Sequence, residues 1–322
     1  ILGIGIPSLI LFILQFFHYK IEGHDDVAKL TKLPIIADVA VASDTVKSKA
    51  DIVVSENQNN QMEEIFRSMR TNLQFLMKKG QKVMLFTSST SGEGKTFNAA
   101  NLAVSFALLG KKIILIGLDI RKPRLAELFK LRDHHHGITP LLANDDPTED
   151  SVKQQILSSG VNKNLDLLLA GPTPPNPAEL LSRESLDKII AILRKNYDYV
   201  IIDSAPVGLV TDTLQIGRVC DATVLVCRAD YTPKDSFGLI NSLSEQKKLP
   251  NMSIIINGID LSKKKYGYYY GYGKYGKYGK YGHYGNYGSY GKYGHYGNYG
   301  SYGNYGNYES PYGKKEDESV KK

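Results

Sequence analysis

Ser88-Ser89-Thr90-Ser91-Gly92-Glu93-Gly94-Lys95-Thr96 follows an apolar run, Val83 to Phe86, and opens a helical run, Phe97 to Leu109. A strand, a glycine-rich turn ending in Gly-Lys-Thr and a helix form the arrangement that cradles phosphate. Backbone N–H groups of the turn and of the helix N-terminus face an anion, where the helix dipole also favours negative charge. The lysine reaches the β- and γ-phosphates, and the threonine hydroxyl ligates Mg²⁺. Ser91, Gly92, Glu93, Gly94, Lys95, Thr96 and Phe97 are therefore the expected nucleotide-binding residues. A chance glycine and serine turn would lack the flanking strand and helix. One position departs from the pattern: Ser89 stands where the first glycine of G-x-x-x-x-G-K-[ST] belongs.

Outward from this loop, Tyr199-Val200-Ile201-Ile202-Asp203-Ser204-Ala205-Pro206 is a second motif. Four residues of a buried strand end in a carboxylate, the Walker B pattern that presents Asp203 to Mg²⁺. Many strands end in aspartate, so the pattern gains its force from the phosphate loop beside it. Lys112 to Leu118 is another apolar strand, followed by Asp119-Ile120-Arg121. Asp119 then lies at a carboxyl strand end, where doubly wound sheets bind ligands. Leu165–Ala170, Ala222–Cys227 and Met252–Ile256 are further apolar runs, with helices expected over 178–195 and 234–247. Continuous apolar strands alternating with helices predict an α/β fold of the P-loop NTPase type. Its sheet is mostly parallel, with helices on both faces.

Before the loop, Ile65, Met69, Leu73 and Leu76 recur at helical spacing, so residues 62–76 form an amphipathic helix. Glu64, Arg67 and Arg70 line one side of it, either as a solvated face with local ion pairs or as a binding face for a neighbouring subunit. Cys220 and Cys227 read as buried, reduced thiols rather than a disulfide or metal pair. His134-His135-His136 cannot all point one way, so the triplet reads as a solvated loop. Hydrophobic residues make up 42% of the chain, enough for a core, and the net charge of +7 is too modest to imply nucleic acid.

The two ends differ from this middle. Ile1 to Phe17 carries no charged residue and is interrupted only by Pro7, Ser8 and Gln15. A spanning helix needs about 20 apolar residues, so residues 1–18 are expected to be a truncated transmembrane helix. Residues 19–60, polar and rich in Ser, Asp and Asn near their end, are expected to be a juxtamembrane linker. At the other end lie 18 of the 22 tyrosines. These are Tyr266, Tyr268, Tyr269, Tyr270, Tyr272, Tyr275, Tyr278, Tyr281, Tyr284, Tyr287, Tyr290, Tyr293, Tyr296, Tyr299, Tyr302, Tyr305, Tyr308 and Tyr312. Most follow a three-residue period with glycine, which fits neither helix nor strand and leaves too few aliphatic side chains for a core. Residues 263–322 are thus expected to be a disordered arm. Between Lys263 and Tyr312 seven lysines face one acid, Glu309. Each phosphotyrosine adds about −1.5 to −2, so roughly four would reverse the sign of the arm. A weakly associating low-complexity segment and a row of phosphate acceptors both fit this composition.

With these residues laid out, the chain resembles the bacterial tyrosine kinases of capsule and exopolysaccharide export, the Wzc-like and CapB-like proteins. The resemblance rests on Ser89–Thr96 as Walker A, Leu115–Arg121 as the Walker A′ strand and Tyr199–Pro206 as Walker B. It rests also on Glu64-x-x-Arg67-x-x-Arg70 and the terminal tyrosine cluster. It implies a kinase domain over residues 61–262 that uses ATP and Mg²⁺. Lys95, Asp119, Asp203 and Arg121 become the catalytic set, with Thr96, Asp119 and Asp203 around the metal. Glu64, Arg67 and Arg70 become the interface of a homo-oligomeric ring, an octamer by that resemblance. The tail tyrosines become acceptors for trans-autophosphorylation that disfavours the ring. Placement at the inner membrane, a polysaccharide export machinery and a cognate tyrosine phosphatase are also implied, with no nucleic-acid partner. The pattern departs at Walker A′, where Gly117 replaces the first aspartate of Asp-x-Asp-x-Arg and leaves Asp119 as the candidate base. A partitioning-type ATPase switch remains an alternative, although Thr90 occupies the place of its signature lysine. So does a non-catalytic scaffold of polysaccharide assembly.

Overall fold

A computed structural model describes residues 19–41, 52–55, 61–131 and 136–260. The expected membrane span, the tail tyrosines, His134 and His135 lie outside the described residues. Among those described, no helix is long and apolar enough to cross a membrane.

In chain order the elements are α1 (His24–Leu30), β1 (Ile35–Ala40), α2 (Gln61–Leu76), β2 (Val83–Ser88) and α3 (Lys95–Leu108). Then come β3 (Ile113–Gly117), α4 (Leu125–Leu128), α5 (Ile138–Ala143), α6 (Glu149–Gln154), β4 (Leu157–Ser158) and β5 (Leu165–Leu168). The rest are α7 (Pro177–Ser182), α8 (Glu184–Asn196), β6 (Tyr199–Asp203), α9 (Asp212–Gly217), β7 (Ala222–Arg228), α10 (Ser236–Glu245) and β8 (Met252–Ile259). The strands form one sheet in the order β1-β8-β7-β2-β6-β3-β5-β4. Every described pairing is parallel except β4 with β5.

Every residue of β2 is buried, and its side chains alternate between two cores. Val83 and Leu85 join one core with α5, α8 and α10, whereas Met84 and Phe86 join the other with α2 and α3. A strand covered on both faces needs apolar residues at every position, which is why these runs do not alternate. The chain crosses from β2 to β3 on one side and from β6 to β7 on the other, so β2 lies at the switch point. Crevices of this kind open at the carboxyl ends of the strands.

Helix α2 buries Met62, Ile65, Phe66, Met69 and Leu73, while Leu76 at its end is exposed. Each fully buried side chain such as Phe66 contributes on the order of 1.5–3 kcal/mol. Cys220 and Cys227 are free and buried, as expected.

Residues 24–40, expected within the linker, instead belong to the α/β domain. Ile35–Ala40 pairs in parallel with β8 at the sheet edge, burying Ile36, Ala37, Val39 and Ala40. The residues before it are tied to the segment after β7. Ile21 N donates to Thr232 O at 3.0 Å, Asp230 N to Ile21 O at 2.8 Å and Lys234 N to Tyr19 O at 2.9 Å. The helix expected over 178–195 is two helices, because Arg183 is extended (φ −69°, ψ 154°) and its carbonyl accepts from Arg218.

Candidate functional site

The site assembles where β2, β6 and β3 end. Asp203 stands opposite Phe86 on one neighbour and Gly117 on the other. Its carbonyl accepts from Leu118 N at 2.8 Å and Asp119 N at 3.0 Å, which fixes Asp119 beside it. Both carboxylates face the N-terminus of α3. Lys95 Nζ lies 3.0 Å from Asp119 Oδ2 and 3.9 Å from Asp203 Oδ1. Thr96 Oγ1 donates to Asp203 Oδ2 at 2.8 Å, and Lys122 N donates to Asp119 Oδ1 at 3.1 Å.

Asp203 Oδ1 is buried with no hydrogen-bond partner among the described residues. A buried oxygen without a donor is costly and suits a cation. Together with the Thr96 hydroxyl it forms a hard-oxygen pair that fits Mg²⁺. Burial pushes the Asp203 carboxyl up to about 6, against the opposing pull of Lys95 and Thr96. Protons therefore compete with the cation below that value. Mg²⁺-dependent nucleotide affinity is expected to fall about tenfold for each pH unit below 6. Titration calorimetry between pH 5 and 7.5 measures this, and an Asp203→Asn chain should lose the dependence. For folding alone the sign is reversed: this group's contribution is present below the ordinary value of 3.8 and lost as pH rises through about 6.

The loop itself is held from behind. Gly92 and Gly94 have φ of +87° and +98°, a region that favours glycine. A Cβ at Gly94 would also lie 2.1 Å from Asn257 Nδ2. Three successive carbonyls are bound on the rear side. Ser91 O accepts from the Tyr231 hydroxyl at 2.9 Å, Gly92 O from Arg228 Nη1 at 3.1 Å and Glu93 O from Asn257 Nδ2 at 2.9 Å. A trans peptide points its N–H opposite its carbonyl, so the N–H groups of Gly92, Glu93 and Gly94 face the front.

The Glu93 side chain is fully buried, away from the phosphate side. It accepts from Thr90 N at 2.8 Å, from Ser89 Oγ at 2.8 Å and from Thr232 Oγ1. Burial raises its carboxyl above the usual range, and these bonds oppose the rise. Ser89, at the position of the missing first glycine, thus contributes a hydroxyl to the loop's internal brace.

Comparison with known proteins gives this geometry a family. The model of an AAA domain matches residues 81–238. Tyrosine-protein kinase YwqD of Bacillus subtilis (strain 168) is 38% identical over 208 residues, which cover 64% of this chain and 85% of that protein. The chain belongs to the bacterial tyrosine-protein kinase family. Tyrosine-protein kinase CpsD of Streptococcus pneumoniae is 35% identical over 211 residues, covering 66% and 90% of the two chains. The chimerical protein CapA2B2 superimposes with a TM-score of 0.65 at 30% identity, over 74% of this chain and 100% of that one. The BceF tyrosine kinase domain gives 0.66 at 31% identity, over 74% and 99%.

Against the family pattern, Gly117 pairs with Asp203 in the sheet, and a Cβ there would touch Leu125 and the Ala170 backbone. Gly117 itself supplies no carboxylate, and Asp119 lies two residues on. Arg121 does not join the cluster of Lys95, Asp119 and Asp203. Its guanidinium is bound at both ends by the buried Asp212, at 2.6 and 2.9 Å. Phe97 turns its ring edge-on to Phe66, centroids 6.1 Å apart, so only its backbone lies at the loop.

Glu64, Arg67 and Arg70 lie elsewhere, on α2. Arg67 pairs with Glu64 at 2.7 Å and Glu63 at 2.9 Å. Arg70 donates to the Ser105 carbonyl and, at 3.2 Å, to the Ser105 hydroxyl, and its Nε is buried without a partner among the described residues. Burial, then Arg67, lowers the Arg70 pKa. Glu63, Arg67, Arg70, Ser105 and Leu109 line a cavity of about 250 Å³. Arg228, Tyr231, Thr232, Asn257 and Asp212 were not expected from the sequence. For Arg228, Tyr231, Thr232 and Asn257 the only signal is position, within or just beyond β7 and β8, and Asp212 has none.

Proposed function

We propose that this chain is an ATP-dependent protein-tyrosine kinase whose chief acceptors are the tyrosines of residues 263–322 of a neighbouring copy. The observation that carries the reading is the cluster of Lys95, Asp119 and Asp203 at the N-terminus of α3, with a buried carboxylate oxygen left for a cation. Phosphoryl transfer is mostly positioning and charge neutralisation. The N–H groups of Gly92 to Thr96 and the Lys95 ammonium hold the β- and γ-phosphates. Thr96 and Asp203 hold Mg²⁺, which when bound neutralises charge on the phosphate oxygens. Asp119 accepts the tyrosine proton as the γ-phosphoryl passes to the phenolate oxygen and ADP leaves. Arg121, fixed by Asp212, keeps the turn after Asp119 in place.

Residues 1–18 anchor the domain in the cytoplasmic membrane, and the capsule or exopolysaccharide export machinery is its setting. Incubation of the chain with Mg-ATP, followed by phosphopeptide mapping, tests the central point. A ladder of phosphates on tail tyrosines supports it, and an unmodified tail under conditions where ATP binds would reject it in favour of a scaffold.

Ring assembly rests on Glu64, Arg67 and Arg70 and on the cavity beside them. Arg70 already spends two bonds on Ser105, so a partner group entering the cavity would meet chiefly the Arg67 guanidinium. Arg67→Ala with Arg70→Ala is expected to convert assembled chain to monomer in light scattering, with at least about tenfold weaker association. Unchanged assembly would return the row to the solvated-face reading. Tail phosphorylation reverses the charge of the arm and opposes the ring.

A further inference from the structure

We infer that Arg228, Tyr231, Thr232 and Asn257 form a rear clamp that presets the phosphate loop, making them positioning residues for nucleotide binding. The inference rests on the nucleotide-binding reading above and adds residues that lie outside the loop motif. Three observations converge. The clamp binds each carbonyl from Ser91 to Glu93, and so orients the following N–H groups to the front. Thr232 Oγ1 donates to the Glu93 carboxylate while accepting from Arg228 N at 2.8 Å, which ties loop and clamp into one network. Finally, Glu93 and Thr232 are both fully buried, so the bond between them faces no competing water.

The physical need is specific to this chain. A glycine-rich turn has many accessible backbone states, and a phosphate can select the right one only at a cost in affinity. The pattern's first glycine is Ser89 here, whose hydroxyl is used on Glu93 rather than on a ligand. A loop whose peptide groups are already turned meets the phosphate without that cost. The clamp acts on N–H groups that bind the phosphates in ATP and ADP alike. It therefore sets affinity and leaves the transfer step unchanged.

Titration calorimetry with Mg-ATP and Mg-ADP on the full 322-residue chain in detergent tests this. Tyr231 is partly exposed, so Tyr231→Phe removes one hydroxyl without opening the core. It is expected to weaken both nucleotides by about three- to tenfold. Thr232→Val should weaken both by at least about tenfold, and Thr232→Ser should restore them to within about twofold. In the kinase assay KM for ATP should rise while kcat at saturating ATP stays within about twofold. Wild-type affinity in Tyr231→Phe and Thr232→Val would overturn the clamp. So would equal loss in the Ser and Val variants, or a loss in kcat instead of KM. If Thr232→Val does not fold, Tyr231→Phe decides alone. A wild-type chain that binds neither nucleotide would overturn both the kinase reading and the clamp, whereas normal wild-type binding with unaffected variants removes only the clamp.

Discussion

Replacing Lys95 with methionine is expected to lower phosphotyrosine formation by at least about 10²–10³-fold, the scale set by losing a positioned electrostatic donor. The side chain is mostly buried, and its ammonium lies between two carboxylates, 3.0 Å from Asp119 and 3.9 Å from Asp203. Methionine keeps the length and apolar stem but removes the only cation within that reach among the described residues. Two consequences add. The γ-phosphate loses its ammonium partner, and the paired carboxylates lose the charge that holds them together. Lys95 lowers the Asp203 carboxyl and Asp119 raises it, so deleting Lys95 moves Asp203 further above 6 and weakens its hold on Mg²⁺. Intact-mass and phosphopeptide analysis after incubation with Mg-ATP measures the effect. Transfer at wild-type rate by Lys95→Met would remove the loop from the reaction and with it the mechanism.

The parts of this site that were legible in sequence are those carried by contiguous signals. The strand before Ser88, the glycine turn, α3 and the strand ending in Asp203 each combine an apolar run with a fixed motif, and all lie where the pattern put them. The parts that were not legible depend on pairs far apart in the chain. Nothing local marks Thr232 as a partner of Glu93, since 139 residues separate them. Arg121 shows the same limit: the resemblance implied a catalytic role, and nothing local marked its partner Asp212, 91 residues on, which binds its guanidinium. Edge elements were lost for another reason. In β1, Pro34 precedes the strand and Asp38 interrupts its apolar run, so composition alone suggested a linker. Helices α4, α5, α6 and α9 span six residues or fewer, too short for a 3.6-residue period to show. The Gly117 departure was visible, and the structure adds that a side chain there would meet the Ala170 backbone and Leu125.

Asp119→Asn is the second large effect, an expected fall of about 10²–10⁴-fold in tyrosine phosphorylation with nucleotide affinity retained. A tyrosine hydroxyl has an ordinary pKa near 10, so a nearby carboxylate that accepts its proton eases attack on the phosphoryl group. With Gly117 in place of the first Walker A′ aspartate, Asp119 is the carboxylate left in the cluster besides Asp203, whose oxygens suit the cation. Asparagine keeps the shape and can still accept from Lys122 N through Oδ1, so the turn is preserved. What it removes is charge and basicity. A purely electrostatic role for Asp119, holding Lys95 in position, predicts a different outcome. Lys95 would then swing, and affinity for ATP and ADP would fall along with the rate. The two roles also differ in their pH dependence. Asp119 raises the Asp203 carboxyl, so the variant should shift the acid limb of Mg²⁺ binding to lower pH under either role. Only loss of a base makes the remaining transfer rate rise with pH as hydroxide takes over the proton. A variant with full nucleotide affinity, a lowered acid limb and a rate climbing above pH 8 assigns Asp119 as the base. One that transfers at wild-type rate would leave the cluster without a base, and the tyrosine would then be activated by its phosphate acceptor alone.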